Sequence, residues 1–268
     1  MCFNWALPGP GRGTISGMMN AETQQRLREL NRELYDTFAG AFSDSRAESE
    51  PGFERIVAQM APGDRVIDLG CGQARLARLL PPGCTYVGVD FSAEMVRVAR
   101  EMLSEPEARA GAGTRDIRFV TADLVSDSWE ALVGGDFDWV VLRAVLHHIP
   151  GYASRRQVLA RAARVLAPGG RLVVANWQFL QIERLRRRLL PWSTVGLTGE
   201  EVEPGDYLLD WRRQGHGLRY VHLIDEEEMR RLARDVGLEI VSLFRADGHT
   251  NDLTLYAVLV SGPEGEAP

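Results

Sequence analysis

Two glycines and an acidic residue lie where the chain pattern predicts contact with a small polar ligand. Residues 66–72 form a short apolar run that enters a turn, with Asp68 in the run and Gly70 and Gly72 in the turn. Glycine lets the backbone turn tightly and approach a ligand that a Cβ atom would exclude. Taken alone, the turn is equally consistent with a tight connection between two elements.

Two further acids follow the next two predicted strands. Asp90 ends the second strand about 20 residues after the glycine turn, where a carboxylate can accept hydrogen bonds from both hydroxyls of a ribose. Asp123 follows the third strand, where an acid can accept from an adenine amino group. Each has a structural alternative, since Asp90 can cap the helix after Ser92 and Asp123 can serve a turn. Because parallel strands end on the same side of a sheet, the acids together predict a nucleoside site.

The turn distinguishes between two nucleoside ligands. A dinucleotide turn has the pattern G-x-G-x-x-G and needs glycine where this chain has Arg75. A bulky charged side chain there disfavours a pyrophosphate. Asp68, two positions before the first glycine, is suited to organise the loop around the ammonium and carboxylate of a methionine moiety. The residues therefore favour S-adenosylmethionine (SAM) and disfavour an oxidoreductase.

The elements that position these residues alternate between strand and helix. Apolar runs predict strands at 66–69, 86–89, 117–120, 139–142 and 172–175. Helical spacing predicts intervening helices at 74–80, 93–103 and 155–166. This alternation predicts an α/β unit of parallel strands joined by right-handed crossovers.

Helices also precede this unit. Apolar residues recur at helical spacing over 21–42, and a second helix is predicted at 51–60. Together they predict an N-terminal helical cap at 21–60. Residues 1–20, rich in glycine and proline, predict a flexible leader.

The C-terminal part of the chain predicts a closing hairpin and an insertion. A helix at 226–236 precedes two strands at 240–244 and 254–260, which we expect to pair in antiparallel. The stretch 178–222 has little periodicity and is too long for an ordinary connection, so it is a candidate substrate-covering insertion. We therefore expect one domain at 61–268 that contains the insertion.

Composition argues against several classes of protein. The formal net charge is −6, which argues against a protein that holds DNA by overall charge. No apolar run reaches the roughly 20 residues of a membrane span, and the start lacks a signal-peptide pattern. We expect a cytoplasmic protein with no membrane or DNA partner. The three cysteines lack close pairing, so neither a disulfide framework nor a metal site is expected.

The chain resembles the class I SAM-dependent methyltransferases in four motifs: V-I-D-L-G-C-G, Y-V-G-V-D-F-S, T-A-D-L and V-L-A-P-G-G-R-L. The resemblance covers roughly residues 61–260. It implies a Rossmann-like fold, a doubly wound, mostly parallel seven-stranded sheet, with SAM as cofactor. It also implies a set of SAM-binding residues: Asp68, Gly70, Cys71, Gly72, Asp90, Phe91, Ser92, Asp123, Leu124 and Arg143. Ala74 departs from the third glycine that many members carry.

A narrower resemblance is to the tRNA wobble-uridine carboxymethyl methyltransferases. It rests on four pieces in the family's order: Y-D-T-F-A-G-A-F-S-D-S-R at 35–46, A-V-L-H-H-I at 144–149, A-N-W after the fifth strand, and G-D-Y-L-L-D-W followed by L-R-Y-V-H-L in the insertion. The resemblance implies esterification of the carboxylate of 5-carboxymethyluridine in a tRNA anticodon. It also implies a small activating partner protein, as in the eukaryotic enzymes. Residues 50–53 replace the family's Trp-Pro.

Arginines suit a carboxylate acceptor. A carboxylate is ionised at pH 7, so it needs no general base and only donors that position it. The candidates are Arg46, in the N-terminal cap, and Arg143, after the strand 139–142. A hydroxyl acceptor would need a base, for which His148 or its neighbour His147 is the candidate, with simple helix packing as the structural alternative.

The sequence leaves the identity of the methyl acceptor open. Four aromatic residues can stack on a nucleobase, although such residues more often pack in a core: Tyr35, Trp177, Trp211 and Tyr220. The basic run 183–190 can reach RNA phosphates, although a solvated helix face is the commoner outcome and nearby acids would repel RNA. The alternatives to a tRNA carboxylate are a small metabolite, lipid or natural product as acceptor, and a SAM-binding protein without turnover.

Overall fold

Strands and helices alternate along most of the chain. The computed structural model describes residues 19–39, 50–104, 116–212 and 215–262. The strands in these residues are β1 (Arg65–Leu69), β2 (Thr85–Asp90), β3 (Asp116–Thr121), β4 (Phe137–Arg143), β5 (Leu166–Trp177), β6 (Leu189–Leu190), β7 (Asp206–Trp211), β8 (Gly217–His222), β9 (Leu238–Ala246) and β10 (Thr254–Ser261).

Seven of these strands form one sheet in the order β3–β2–β1–β4–β5–β10–β9. Strands β1 to β5 are parallel to one another, and β10 is antiparallel to both β5 and β9. This confirms the predicted seven-stranded, mostly parallel sheet and its closing hairpin. The strand order changes direction between β1 and β4, and ligands of such sheets bind beyond the carboxyl ends of the strands at that point.

The helices of the described residues are α1 (Ala21–Thr37), α2 (Pro51–Val57), α3 (Ala93–Ser104), α4 (Trp129–Val133), α5 (Tyr152–Arg164), α6 (Glu183–Arg186) and α7 (Glu226–Asp235). The predicted helix at 74–80 is wrong in type and length, since only a 3₁₀ turn forms at Leu76–Arg78. Ala74 has a φ of +53°, which an α-helix excludes. Among the described residues, no helix combines the length and apolar character needed to cross a bilayer.

The central strands of the seven-stranded sheet are buried on both faces, since alternate residues point to opposite sides and each side belongs to a buried apolar cluster. Ile67 and Leu69 of β1 face a core that includes the fully buried ring of Trp129. Val66, on the other side, belongs to a second core with Phe53 of α2. The two cores hold the carboxyl ends of β1, β2 and β4 in fixed relative positions.

The predicted insertion forms a small sheet of its own. Strands β6, β7 and β8 lie antiparallel in that order, with Tyr207 opposite Val221. Helix α1 packs against this sheet, where Leu27 and Tyr220 share a buried apolar cluster. The insertion is therefore joined to the N-terminal helix rather than extended as an irregular loop.

Candidate active site

The turn after β1 has the backbone geometry that makes glycine necessary. Gly70 has a φ of +77° and Gly72 a φ of +52°. A Cβ atom on Gly70 would lie 2.4 Å from a methyl group of Val145, whereas one on Gly72 would meet no protein atom within 4 Å. Gly70 is therefore required by packing, and Gly72 leaves open space beside the backbone.

Asp90 connects this turn to the end of β2. Its carboxylate accepts hydrogen bonds from the backbone N–H of Gly72 at 2.8 Å and of Ser92 at 3.0 Å. Burial raises the pKa of Asp90 above its usual value, although the two N–H donors oppose that rise. The carboxylate thus holds the ends of two parallel strands together beside an open cleft.

The cleft lies at the carboxyl ends of β1, β2 and β4. Its empty space, including the solvent at its mouth, is about 1010 Å³. Eight predicted site residues line it: Gly70, Gly72, Asp90, Phe91, Asp123, Leu124, Arg143 and His148. The structure therefore brings most of the predicted set to one place.

Three predicted SAM-binding residues lie behind the cleft wall. Asp68 is 5% exposed and accepts a hydrogen bond from the Tyr86 hydroxyl at 2.9 Å. Cys71 is also buried, and burial raises the pKa of its thiol well above the usual value. Ser92 caps α3, its Oγ accepting from the N–H of Met95 at 3.1 Å. Their contact with the cofactor stays a prediction. Arg46 lies outside the described residues.

Helix α1 contributes site residues that sequence reasoning missed. Arg28, Asn31 and Arg32 line the cleft beside Tyr35. The Arg32 guanidinium lies 2.9 Å from the Asp123 carboxylate and 5.1 Å from the Phe91 ring centroid. The spacing of these four residues places them on one helix face, which was the available signal. Only the packing of α1 shows that this face turns toward the cleft.

Arg143 is paired with a carboxylate of the chain itself. Its Nη1 lies 2.8 Å from the Glu50 carboxylate, which is also 3.4 Å from Arg75. The Arg143 guanidinium carbon lies 4.8 Å from the Phe53 ring centroid. Glu50 stands in the segment that departs from the family's Trp-Pro, so the departure places an acid directly on the predicted acceptor-binding arginine.

His148 is held between α1 and the insertion. Its Nδ1 lies 3.1 Å from the main-chain carbonyl of Tyr220, and its Nε2 lies 2.8 Å from the Tyr35 hydroxyl. A carbonyl only accepts, so Nδ1 carries a proton. When His148 is neutral, Nε2 therefore accepts from Tyr35. The neighbouring His147 is fully buried and lies 3.3 Å from the Asn176 side-chain oxygen, so it does not line the cleft.

The insertion motifs meet in a buried charged network. Asp206 accepts hydrogen bonds from the Tyr220 hydroxyl and from His222, both at 2.6 Å. His222 also contacts Glu228 of α7 at 2.8 Å. Because the Tyr220 ring is fully buried, it is not available to stack on a nucleobase. The family-like motif residues Asp206, Tyr220 and His222 thus fasten the insertion to the main domain.

Arg155 of α5 completes the network. Its guanidinium lies 2.7 Å from Glu203 and 3.1 Å from Glu228. Oxygen or nitrogen atoms of Glu203, Asp206 and His222 lie within 4.8 Å of one another. Hydrogen bonds to the protein engage all three side chains, so the arrangement is that of an ion-pair network.

The network predicts a pH-dependent stability. Burial lowers the pKa of His222, but hydrogen bonds to Asp206 and Glu228 outweigh it and raise the pKa above the usual value. The stabilisation should be complete below the unfolded-state pKa of about 6.5 and be lost as pH rises through the raised folded-state pKa. Urea unfolding at several pH values should show the wild type's advantage over His222→Gln shrinking from pH 6 to pH 9. A constant difference would contradict this.

Comparison with known proteins identifies the family. Residues 67–174 match a family described as a methyltransferase domain. The ubiquinone biosynthesis O-methyltransferase of Thiobacillus denitrificans is 31% identical over 194 residues, which cover 70% of this chain and 71% of that protein. The chain belongs to the SAM-dependent methyltransferases.

Similarity to tRNA methyltransferases is more distant. The probable tRNA methyltransferase 9B of Homo sapiens is 25% identical over 179 residues, covering 65% of this chain but only 36% of that protein. The tRNA (carboxymethyluridine(34)-5-O)-methyltransferase of Arabidopsis thaliana is 25% identical over 144 residues, 54% of this chain and 31% of that protein. This chain therefore spans about a third of the length of these relatives.

Solved structures share the fold. A SAM-dependent methyltransferase from Methanosarcina mazei has a TM-score of 0.59 and 23% identity, covering 78% of this chain and 98% of that one. A methyltransferase from Haloferax volcanii, solved in complex with the Trm112 methyltransferase activator, has a TM-score of 0.56 and 20% identity, covering 88% and 99%. Both support the Rossmann-like methyltransferase fold.

SAM is the cofactor of this enzyme, and the described residues fit it. Gly72 leaves space that a Cβ atom would fill, and the buried Asp90 carboxylate lies at the cleft wall. The lining also offers Phe91, Asp123 and Leu124, a mixed apolar and acidic surface of the kind that a nucleoside needs. SAM supplies the methyl group from its sulfonium, and the chain's residues must bind, align and exclude water.

Proposed function

We propose that this methyltransferase esterifies a carboxylate, that of a carboxymethyl group on a tRNA wobble uridine. The observation that carries the proposal is Arg143, which lines the cleft and already pairs with a carboxylate, Glu50, through Nη1. A guanidinium has five N–H donors, and a second carboxylate can bind its remaining edge. Arg28 and Arg32 add two more guanidinium groups to the cleft wall.

The relatives support this acceptor. The Arabidopsis thaliana relative is named for methylation of carboxymethyluridine at tRNA position 34, and the four family-like sequence pieces occur here in the same order. The Haloferax volcanii neighbour was solved with a methyltransferase activator. We therefore also propose that a small activating protein binds this chain.

The proposed methyl transfer needs no general base to remove a proton from the acceptor. A carboxylate is the nucleophile in its ionised form, so the chain has only to align it in line with the methyl carbon and keep water out. Arg143 would orient the carboxylate at one side of the cleft. Helix α1, through Arg32 and Tyr35, would cover the other side.

Product chemistry tests the proposal. The purified protein, with and without a Trm112-type activator, would be incubated with SAM labelled in the methyl group and with tRNA that carries 5-carboxymethyluridine. A methyl ester releases its label as methanol in mild alkali, whereas an ether or N-methyl group does not. Alkali-labile label in tRNA supports the proposal. Label that enters only small-molecule extract, or that resists alkali, contradicts it.

A second candidate is methylation of a hydroxyl group on a small molecule. The contact between Tyr35 and the Nε2 of His148 favours it, because a neutral histidine there can accept a proton. The Thiobacillus denitrificans relative, named as an O-methyltransferase of ubiquinone biosynthesis, also fits this candidate. The alkali test separates the two candidates, since an ether keeps its label.

Arg143→Ala should lower kcat/KM for the carboxylate acceptor by about ten- to a hundredfold, because a charged hydrogen bond contributes about 1.5–3 kcal/mol. Arg143→Lys should not restore full activity, since an ammonium lacks the planar fork. Arg171→Ala, an exposed arginine at the far end of the same sheet, is the matched control. Initial rates across acceptor concentrations measure the effect, and full turnover of Arg143→Ala would remove this residue from the site.

A further inference from the structure

We propose that the Tyr35 hydroxyl contacts the acceptor carboxylate and that protonation of His148 sets whether that hydroxyl donates. The inference rests on the proposed function and adds to it a contact residue, Tyr35, and a positioning residue, Asn31. A carboxylate would then bind together with a proton that is taken up at His148.

Asn31 fixes the geometry of this pair. Its side-chain oxygen accepts from the N–H of Tyr220 at 2.9 Å, and its nitrogen donates to the carbonyl of Tyr220 at 3.1 Å and to that of His148 at 3.2 Å. Asn31 is 4% exposed. One buried amide therefore aligns the carbonyl that receives Nδ1–H of His148 and the main chain of His148 itself.

This alignment leaves Nε2 as the atom whose proton varies. Because Nδ1 always donates to the Tyr220 carbonyl, a neutral His148 must accept from the Tyr35 hydroxyl through Nε2. The Tyr35 oxygen then presents lone pairs, which repel a carboxylate. A protonated His148 instead donates from Nε2 to the Tyr35 oxygen, and the phenolic proton becomes a donor for the acceptor.

The charges around His148 are mixed. Among the described residues, the charged and titratable groups that contact it or share its cleft are Tyr35, His147, Arg28, Arg32, Arg143, Asp90 and Asp123. Asp123 is paired with Arg32, and Asp90 accepts from two backbone N–H groups. An arriving carboxylate adds a negative charge beside these groups, which favours the protonated imidazole.

The proton balance closes over one turnover. The carboxylate oxygen forms its bond to the methyl carbon as the carbon–sulfur bond breaks, and the product is a neutral ester. No proton is consumed in that step. When the negative charge is gone, His148 returns the proton that it took up on binding.

Calorimetry can test the inference without turnover. An anticodon stem-loop RNA that carries 5-carboxymethyluridine would be titrated into the protein with S-adenosylhomocysteine present, in buffers of different ionisation enthalpy. The wild type should take up a proton on binding, seen as a dependence of the measured binding enthalpy on the ionisation enthalpy of the buffer. His148→Gln should abolish the uptake, and the exposed His249→Gln should not. Uptake that is absent, or unchanged in His148→Gln, overturns the inference.

Rate profiles give an independent test. Ester formation by the wild type should fall with rising pH, because the donating form is lost. His148→Gln, whose amide can donate at every pH, should flatten the profile, and Asn31→Ala should shift it. Tyr35→Phe should lower kcat/KM about ten- to a hundredfold, whereas Tyr152→Phe, which loses a hydroxyl bound to Asp235, is the matched control.

The outcomes separate the two proposals. If no alkali-labile label enters tRNA with the wild type, the proposed function fails. If ester forms but its rate rises with pH, or if Tyr35→Phe retains full activity, the function stands and the inference is overturned.

Discussion

Asp90→Ala is expected to weaken SAM binding by at least about a hundredfold, because the carboxylate would no longer accept hydrogen bonds from the two ribose hydroxyls. Each hydrogen bond to a charged group contributes about 1.5–3 kcal/mol. The carboxylate has two tasks here. It presents oxygen atoms at the cleft, where the resemblance places a ribose, and it holds the backbone N–H groups of Gly72 and Ser92. Removing it therefore takes away a ligand contact and loosens the glycine turn together.

Isothermal titration with SAM and S-adenosylhomocysteine measures this effect. Asp90→Asn keeps one acceptor oxygen and should fall between the wild type and Asp90→Ala. Asp116→Ala, in an exposed position at the opposite end of the neighbouring strand, is the control for removal of a charge. Unchanged SAM affinity in Asp90→Ala would show that this carboxylate has only a structural task.

Arg155→Met is expected to destabilise the fold by about 3–5 kcal/mol, because it removes one partner from a buried charge network. The Arg155 side chain is 1% exposed and lies against the carboxylates of Glu203 and Glu228. Without the guanidinium, those two acids lose the cation that both of them contact. The insertion would lose the ion pair that joins Glu203 to α5.

Urea unfolding followed by circular dichroism measures the loss. The next residue on the same helix, Arg156, is exposed, so Arg156→Met should change the free energy of unfolding by less than about 0.5 kcal/mol. The pair holds helix propensity and side-chain chemistry constant while burial differs. Equal stability of the two variants would show that the network contributes little.

The sequence predicted the central sheet well because its signals are local. The short apolar strands, the glycines at positions 70 and 72, and the acid after each strand all depend on a few neighbouring residues. The hairpin formed by 238–246 and 254–261 was predicted for the same reason. Ala74 has a positive φ that the high helix propensity of alanine does not indicate, and the helix predicted there was wrong.

The residues missed by sequence reasoning depend on contacts between distant segments. Arg32 reaches Asp123 across 91 positions, and Asn31 reaches Tyr220 across 189. Neither pair of residues lies in a periodic sequence pattern that would indicate the contact. The motif in the insertion pointed to Tyr220 but not to its burial, because burial depends on how α1 and the small sheet pack.

The contact between Asn31 and Tyr220 also affects self-association of the protein through an edge strand. β8 is an outer strand of its sheet, and on that side the described residues provide no neighbouring strand. An uncovered strand border is a template for pairing with another chain. The side-chain amide of Asn31 hydrogen-bonds both the N–H and the carbonyl of Tyr220, as an adjoining strand would. Helix α1 thus protects the edge of β8 from pairing with a strand of another molecule. Removal of α1 would favour aggregation.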